Sequence, residues 1–178
     1  LRADTELRLA ALAESANAAA LGERAAEAEA SYRALAAQLS AKRELAAHDL
    51  EARVTEVMQH LAMTGGSLEI ALEPLATPAS HGVEQIEFRV ASHPKQPLGP
   101  LAKVASGGEL SRIALAIQVV TSEVGAVPTL VFDEVDAGIG GAVAATVGAQ
   151  LQALGAHRQV LCVTHLPQVA AFADTHFR

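Results

Sequence analysis

The sequence predicts an α/β fold with a mostly parallel sheet, preceded by a long coiled-coil helix. Three observations predict it. Residues 1–63 contain no proline and one glycine, Gly22, and are rich in Ala, Glu, Arg, Leu and Gln, a composition that favours helix throughout. Thr129-Leu130-Val131-Phe132 and Gln159-Val160-Leu161-Cys162-Val163-Thr164 read as buried strands with an apolar helix between them. That order is a parallel unit with a right-handed crossover. Ahead of the strands, Ser106-Gly107-Gly108-Glu109 stands directly before a helical run that continues to Val120.

Composition narrows the class. At 178 residues the chain holds one ordinary domain, or a smaller one plus an extension. Net charge is −7, with seven basic and ten acidic residues up to residue 60 and six and ten after it, so neither half is a basic nucleic-acid-binding domain. The single cysteine, Cys162, excludes an internal disulfide, fits a reducing cytoplasm and reads as a buried small hydrophobe. No apolar run is long enough to span a bilayer. The chain opens without methionine, in mid-pattern, and reads as a fragment.

In the arm, Leu21, Ala25, Ala28, Tyr32, Leu35, Leu39, Lys42 and Ala46 alternate four–three, the heptad seam of a coiled coil. The phase slips by one residue before Val54, Val57 and Leu61 resume it. A continuous helix of this length reaches about 90 Å at 1.5 Å per residue. Its seam is poor in large side chains and calls for a partner strand; a solvated helix lying on a larger core is the other reading, and Gly22 is where it would break. Thr64-Gly65-Gly66-Ser67 ends the helix, residues 67–72 read as a strand, and Pro74, Pro78 and Gly82 as a loop. Ile86, Phe88 and Val90 alternate with Glu87 and Arg89 as a half-solvated, antiparallel strand. His81 and His93 have no partner at metal-ligand spacing and read as solvated.

The glycine corner carries the first chemical signal. Two residues without side chains let backbone N–H groups approach a ligand closely, and the following helix adds its positive dipole end, which suits a phosphate. Leu110, Ile113, Ile117 and Val120 supply the core-facing stripe. Alone, Ser-Gly-Gly equally suits a turn capping a buried helix. Downstream, Asp133-Glu134 emerge at the C-terminal edge of their strand, where parallel sheets bind ligands. Successive strand side chains point oppositely, so one acid can face a magnesium ion and the other a water. His165 arrives at the same edge from the next strand; His157 and His176 do not and read as structural.

These stretches together resemble ATP-binding-cassette ATPases. Ser106-Gly107-Gly108-Glu109 is similar to their signature motif, Leu130-Val131-Phe132-Asp133-Glu134 to their Walker B strand, Asp136 to Gly138 to their D-loop and His165 to their switch histidine. The finer text, Val-Ala-Ser-Gly-Gly-Glu-Leu-Ser-Arg-Ile, Phe-Asp-Glu-Val-Asp-Ala-Gly-Ile and Val-Thr-His-Leu-Pro-Gln-Val-Ala-Ala, resembles the SMC-like RecN family of bacterial DNA repair proteins over roughly residues 101–178. Ala105 stands where many cassette ATPases have leucine, a departure RecN proteins share. No Gly-x-x-x-x-Gly-Lys-Ser/Thr occurs, and Lys42, Lys95 and Lys103 have no such context.

The resemblance implies the C-terminal lobe of an ABC-type (P-loop NTPase) head, residues 64–178, behind the returning arm of a coiled coil, residues 1–63. It implies ATP and Mg²⁺, with Asp133 holding the metal, Glu134 orienting or deprotonating water, and His165 meeting the γ-phosphate. Ser106, Gly107, Gly108 and Glu109 would close over a nucleotide held by a second head, and Asp136 would couple the two sites. Its implied partners are the protein's own N-terminal Walker A segment and outgoing arm, a second copy through ATP-sandwiched heads, and DNA, with no membrane. Its implied place is the bacterial cytoplasm, at the nucleoid. Another SMC-like chromosome-maintenance ATPase, and a non-catalytic coiled-coil scaffold, are the alternative readings.

Overall fold

A computed structural model describes residues 2–103, 106–122 and 127–177; within its first helix the side chains of residues 2–4, 10–12 and 14–16 lie outside the description. Val104 and Ala105, at the head of the glycine-corner motif, are outside it as well, including the departure at Ala105. The elements run α1 (Arg2–His60), β1 (Ser67–Ala79), β2 (Gly82–Ala91), β3 (Gly99–Pro100), a single 3₁₀ turn (Leu101–Lys103), α2 (Gly107–Val120), β4 (Thr129–Phe132), α3 (Gly141–Gly155), β5 (Gln159–Cys162) and α4 (Pro167–Ala170). By contact the chain divides into two compact units, Leu1–Arg43 with Leu75–Glu84, and Glu44–Pro74 with Gln85–Arg178. The division at residue 63 expected from sequence follows composition. By contact, residues 44–60 of α1 fall in the second unit, because Val54 and Met58, with Leu61 just beyond, are fully buried members of its core.

Helix α1 runs unbroken through Gly22. In the first unit its buried positions are offset by one residue from the expected seam: Ala36 is buried, whereas Leu21, Leu35 and Leu39 are 53, 63 and 37% exposed. Tyr32 is half-buried for a different reason. Its hydroxyl lies 2.8 Å from Ala79 O and 2.9 Å from Gly82 O, at the turn between β1 and β2. Arg43 donates to His81 O at 2.8 Å and faces Glu84 at 3.4 Å.

The second unit holds the core. Ile113, Leu115 and Ala116 of α2, Phe132 of β4, and Ala144, Val147, Leu151 and Leu154 of α3 are buried together with Val54, Met58 and Leu61. Leu110, expected in the apolar stripe of α2, is 42% exposed; Leu115 and Ala116 take its place, because the buried face, which runs through Gly108 and Arg112, is rotated around the helix away from Leu110. Strand β2 pairs antiparallel with β3, and β4 pairs in parallel with β5 in the register Phe132↔Cys162, so among the described residues the parallel pairing is confined to β4 and β5. One face of that pair packs inward through Leu130, Phe132, Val160 and Cys162. The other presents Val131, Leu161 and Val163, 67, 42 and 62% exposed, where sequence predicted strands buried on both sides. The short alternation of inward and outward side chains leaves that apolar face bare. His81, His93, His157 and His176 are exposed, as expected for the first two and against a structural role for the others. Cys162 is half-buried, and burial raises its thiol pKa to about 11, which keeps it protonated and unreactive.

Candidate functional site

The C-terminal ends of β4 and β5 and the start of α2 border one cleft of about 450 Å³, lined by Ser106, Gly107, Gly108, Asp133, Glu134, Asp136, Ala137, Val163, Thr164 and His165. Three local devices assemble it. Ser106 is the N-cap of α2, with extended backbone and a hydroxyl accepting from Glu109 N at 3.4 Å. Ser-x-x-Glu is the spacing of a capping box. The reciprocal bond is not made, because the Glu109 carboxylate instead accepts from the buried Ser92 hydroxyl at 2.8 Å. Glu109 therefore stays off the cleft wall, unlike the other residues expected to meet nucleotide.

The two glycines are required by close approach. A Cβ on Gly107 would collide with Glu134 Oε2, and one on Gly108 would lie 2.8 Å from Ala137 Cβ. The corner thus presses against the loop that leaves β4.

That loop is the second device. Phe132 is buried, whereas Asp133 and Glu134 are exposed. Glu134 has φ 57°, the left-handed region that an L-residue with a long side chain rarely adopts. Such backbone strain clusters at functional sites. Ala137 N donates to Glu134 O at 3.0 Å, closing a turn that Gly138 leaves at φ 75°. Among the described residues neither the Asp133 nor the Glu134 carboxylate accepts a hydrogen bond or forms an ion pair.

Asp136 forms the third. It is 2% exposed and its Oδ2 accepts from the Thr164 hydroxyl at 2.5 Å and from His165 N at 3.1 Å, with the His165 ring Nδ1 at 3.3 Å. Burial pushes its pKa up, but those donors outweigh burial and hold it below the ordinary carboxylate value. Its carboxylate is therefore committed within its own chain to holding the Thr164–His165 turn, which bears on the expected coupling role. His165 is 72% exposed and open to the cleft. Val163 N donates to Phe132 O at 2.9 Å, continuing the parallel ladder and fixing His165 beside the acids.

Three residues of this assembly stand within the sequence motifs but received no role from sequence. Thr164 orders Asp136. Ser111 donates to Asp133 O at 2.6 Å, and Arg112 donates to Ala137 O at 2.8 Å. The helical spacing marked only the apolar stripe, and a polar residue beside it gives no sign of facing inward.

The arrangement brings a helix N-terminus with two glycines, two uncommitted carboxylates and an exposed imidazole to one opening. Such an opening can take an anion and position a water. Among the described residues no group of three or more metal-binding side chains occurs, so a cation here draws on one or two carboxylates.

No family model matches the chain. Among curated proteins, the DNA repair protein RecN of Xylella fastidiosa is 51% identical over 160 residues, covering 89% of this chain and 29% of that protein. RecN of Haemophilus influenzae is 47% identical over 145 residues, 81% of this chain and 26% of that protein. RecN of Deinococcus radiodurans is 48% identical over 141 residues, 79% and 24% respectively. Among solved structures, the Smc head domain with an extended coiled coil from Pyrococcus furiosus, bound to the C-terminal domain of ScpA, superposes with a TM-score of 0.54 at 22% identity over 75% of this chain and 31% of that one. The Smc head with a coiled coil and joint from Pyrococcus yayanosii gives 0.54 at 23% identity, over 75% and 24%. At these identities the structural likeness is one of fold. The chain therefore carries the α/β fold of part of an Smc-type head and is similar to the RecN proteins, spanning 29% of the length of its Xylella relative.

Proposed function

We propose that this chain is part of the ATPase head of a bacterial, cytoplasmic DNA repair protein. ATP binding joins two heads, and hydrolysis releases them during recombinational repair of double-strand breaks. Residues 1–63 are the returning arm of its coiled coil and 64–178 the C-terminal part of the head. The observation that carries the reading is the pair Asp133–Glu134, whose carboxylates are free of hydrogen bonds among the described residues, at the end of a parallel strand and facing a glycine corner and His165 in a RecN-like sequence.

Each residue has a part. Glu134 orients or deprotonates the attacking water, and its strained backbone aims the carboxylate into the cleft. The N–H groups of Gly107 and Gly108 and the Ser106 hydroxyl offer donors to a γ-phosphate. His165 hydrogen-bonds that phosphate and is held for the purpose by Asp136 and Thr164. Mg²⁺ fits the donor set, because it keeps several waters and takes one or two carboxylates beside substrate phosphates; Asp133 would hold it, and it would neutralise phosphate charge. The chain has no lysine in a phosphate-binding loop, so the remaining cradle comes from an N-terminal segment of the whole protein. The bare apolar face of Val131, Leu161 and Val163 suits that segment. The exposed Leu21, Leu35 and Leu39 suit an outgoing arm.

Gly107 stands against the Glu134 carboxylate of its own head, with no space for even a Cβ between them. That crowding supports a shared site, in which the corner of one head closes on the nucleotide held by the carboxylates of another.

The test is Glu134→Gln in the full-length protein. Gln keeps the shape and loses the base, so turnover falls by about a hundredfold or more while ATP binding persists and ATP-bound dimers accumulate on gel filtration. Wild-type turnover in this variant would show that the base lies elsewhere.

A further inference from the structure

With Asp136 the buried acid, Arg112 is the one basic side chain buried among the described residues. It is 6% exposed, its Nη1 donates to Ala137 O at 2.8 Å, and its Nε has no hydrogen-bond partner. Among the described residues no carboxylate makes a hydrogen bond or ion pair with it; Glu109 acts on it only through its charge. A buried guanidinium so weakly matched is poor material for stability, because an apolar side chain of similar volume is often as good or better.

Its position gives it another use. Nη1 lies 3.2 Å from where a Cβ on Gly108 would stand, so the guanidinium sits beneath the glycine corner on one side and holds the loop after β4 on the other. Its neighbour Ser111 grips the same loop at Asp133 O, at 2.6 Å. Two consecutive residues of α2 therefore bracket residues 134–136. The loop between the two anchors contains Glu134 at φ 57°.

We propose that Arg112 is a positioning residue that ties the glycine corner to the 133–137 loop and holds Glu134 in its working conformation. The pin transmits a movement of the corner, such as its closure on a nucleotide, to the carboxylate that activates water. Ser111 shares the task as the second anchor. For its catalytic consequence this inference rests on the ATPase reading above. Its structural content does not.

The experiment uses the full-length protein with Arg112→Met, Arg112→Lys and Ser111→Ala. Without nucleotide, hydrogen exchange at amides 135–138 should speed up by about tenfold or more in Arg112→Met while β4 and β5 keep their protection, with Arg112→Lys restoring part of it. In ATP turnover, kcat should fall by about tenfold or more with KM within about twofold, since a misplaced base harms chemistry and leaves binding. Unchanged exchange in both Arg112 variants overturns the proposal. So does an equal loss of protection across β4 and β5, which is the signature of general destabilisation. Should Arg112→Met fail to fold, Arg112→Lys and Ser111→Ala give the same readouts. A wild-type protein without ATP turnover would sink the ATPase reading and leave the exchange result to decide the pin on its own.

Discussion

The hairpin turn of the first unit and the cleft of the second are built from similar side chains in opposite states of commitment. At the turn, Tyr32 and Arg43 reach the backbone oxygens of Ala79, His81 and Gly82, and Glu84 faces Arg43. These side chains are engaged in keeping a short turn against a helix. In the cleft, the carboxylates of Asp133 and Glu134 accept nothing among the described residues, and Glu134 holds a costly backbone conformation. The difference separates polar groups that maintain a fold from groups available to a ligand. Only the second kind marks chemistry.

Substitutions should divide along the same line. Glu134→Gln, with the largest effect, silences turnover by about a hundredfold yet leaves thermal melting nearly unchanged, because exposed carboxylates contribute little to stability. A large melting shift would show that Glu134 belongs with the structural groups. Tyr32→Phe reverses the pattern. Losing one hydroxyl shared by two carbonyls costs about 1 kcal/mol, seen as faster hydrogen exchange around residues 80–82, with ATP turnover untouched. Altered turnover would blur the contrast.

Asp136 sits between the classes, engaged yet at the cleft, and its effect is the smallest. Its folded pKa lies below the ordinary value of 3.8. Its contribution to stability is therefore complete above that value and is lost as pH falls through the lower folded one. Denaturant titrations from pH 6 to pH 2 should show a stability loss on the acid side that Asp136→Asn flattens. An identical acid limb in the variant would mean that the Thr164 and His165 contacts do not favour the charged form.

The catalytic edge was legible in the sequence for a physical reason. Two acids after four strand residues, a glycine corner before a helix and a histidine after the next strand are fixed by local chemistry, and the parallel register Phe132↔Cys162 brings them together. Contacts set by tertiary packing were not legible. Ser-x-x-Glu reads as nucleotide contact or as a capping box, and only the position of Ser92 decides where Glu109 turns. Up to residue 47 of α1 the seam and the buried stripe differ by one residue, whereas Val54 and Leu61 are buried as expected, and with alanines on both stripes sequence cannot tell which one the protein covers. Ala36 and Ala47 are buried while Leu35 and Leu45 stay exposed. Arg112 gave no signal, because a lone arginine beside an apolar stripe reads as solvated.

The central claim is that the glycine corner of one head completes the site of another, and a covalently linked pair of full-length chains tests it most directly. Ser106→Arg blocks closure and Glu134→Gln blocks chemistry. With one substitution in each head, one site of two stays sound, and about half of the linked wild-type turnover should remain. With both substitutions in the same head, both sites fail and turnover should vanish. Activity in that second arrangement, with silence in the first, would show that Ser106 and Glu134 serve one nucleotide within a single head and would contradict the account.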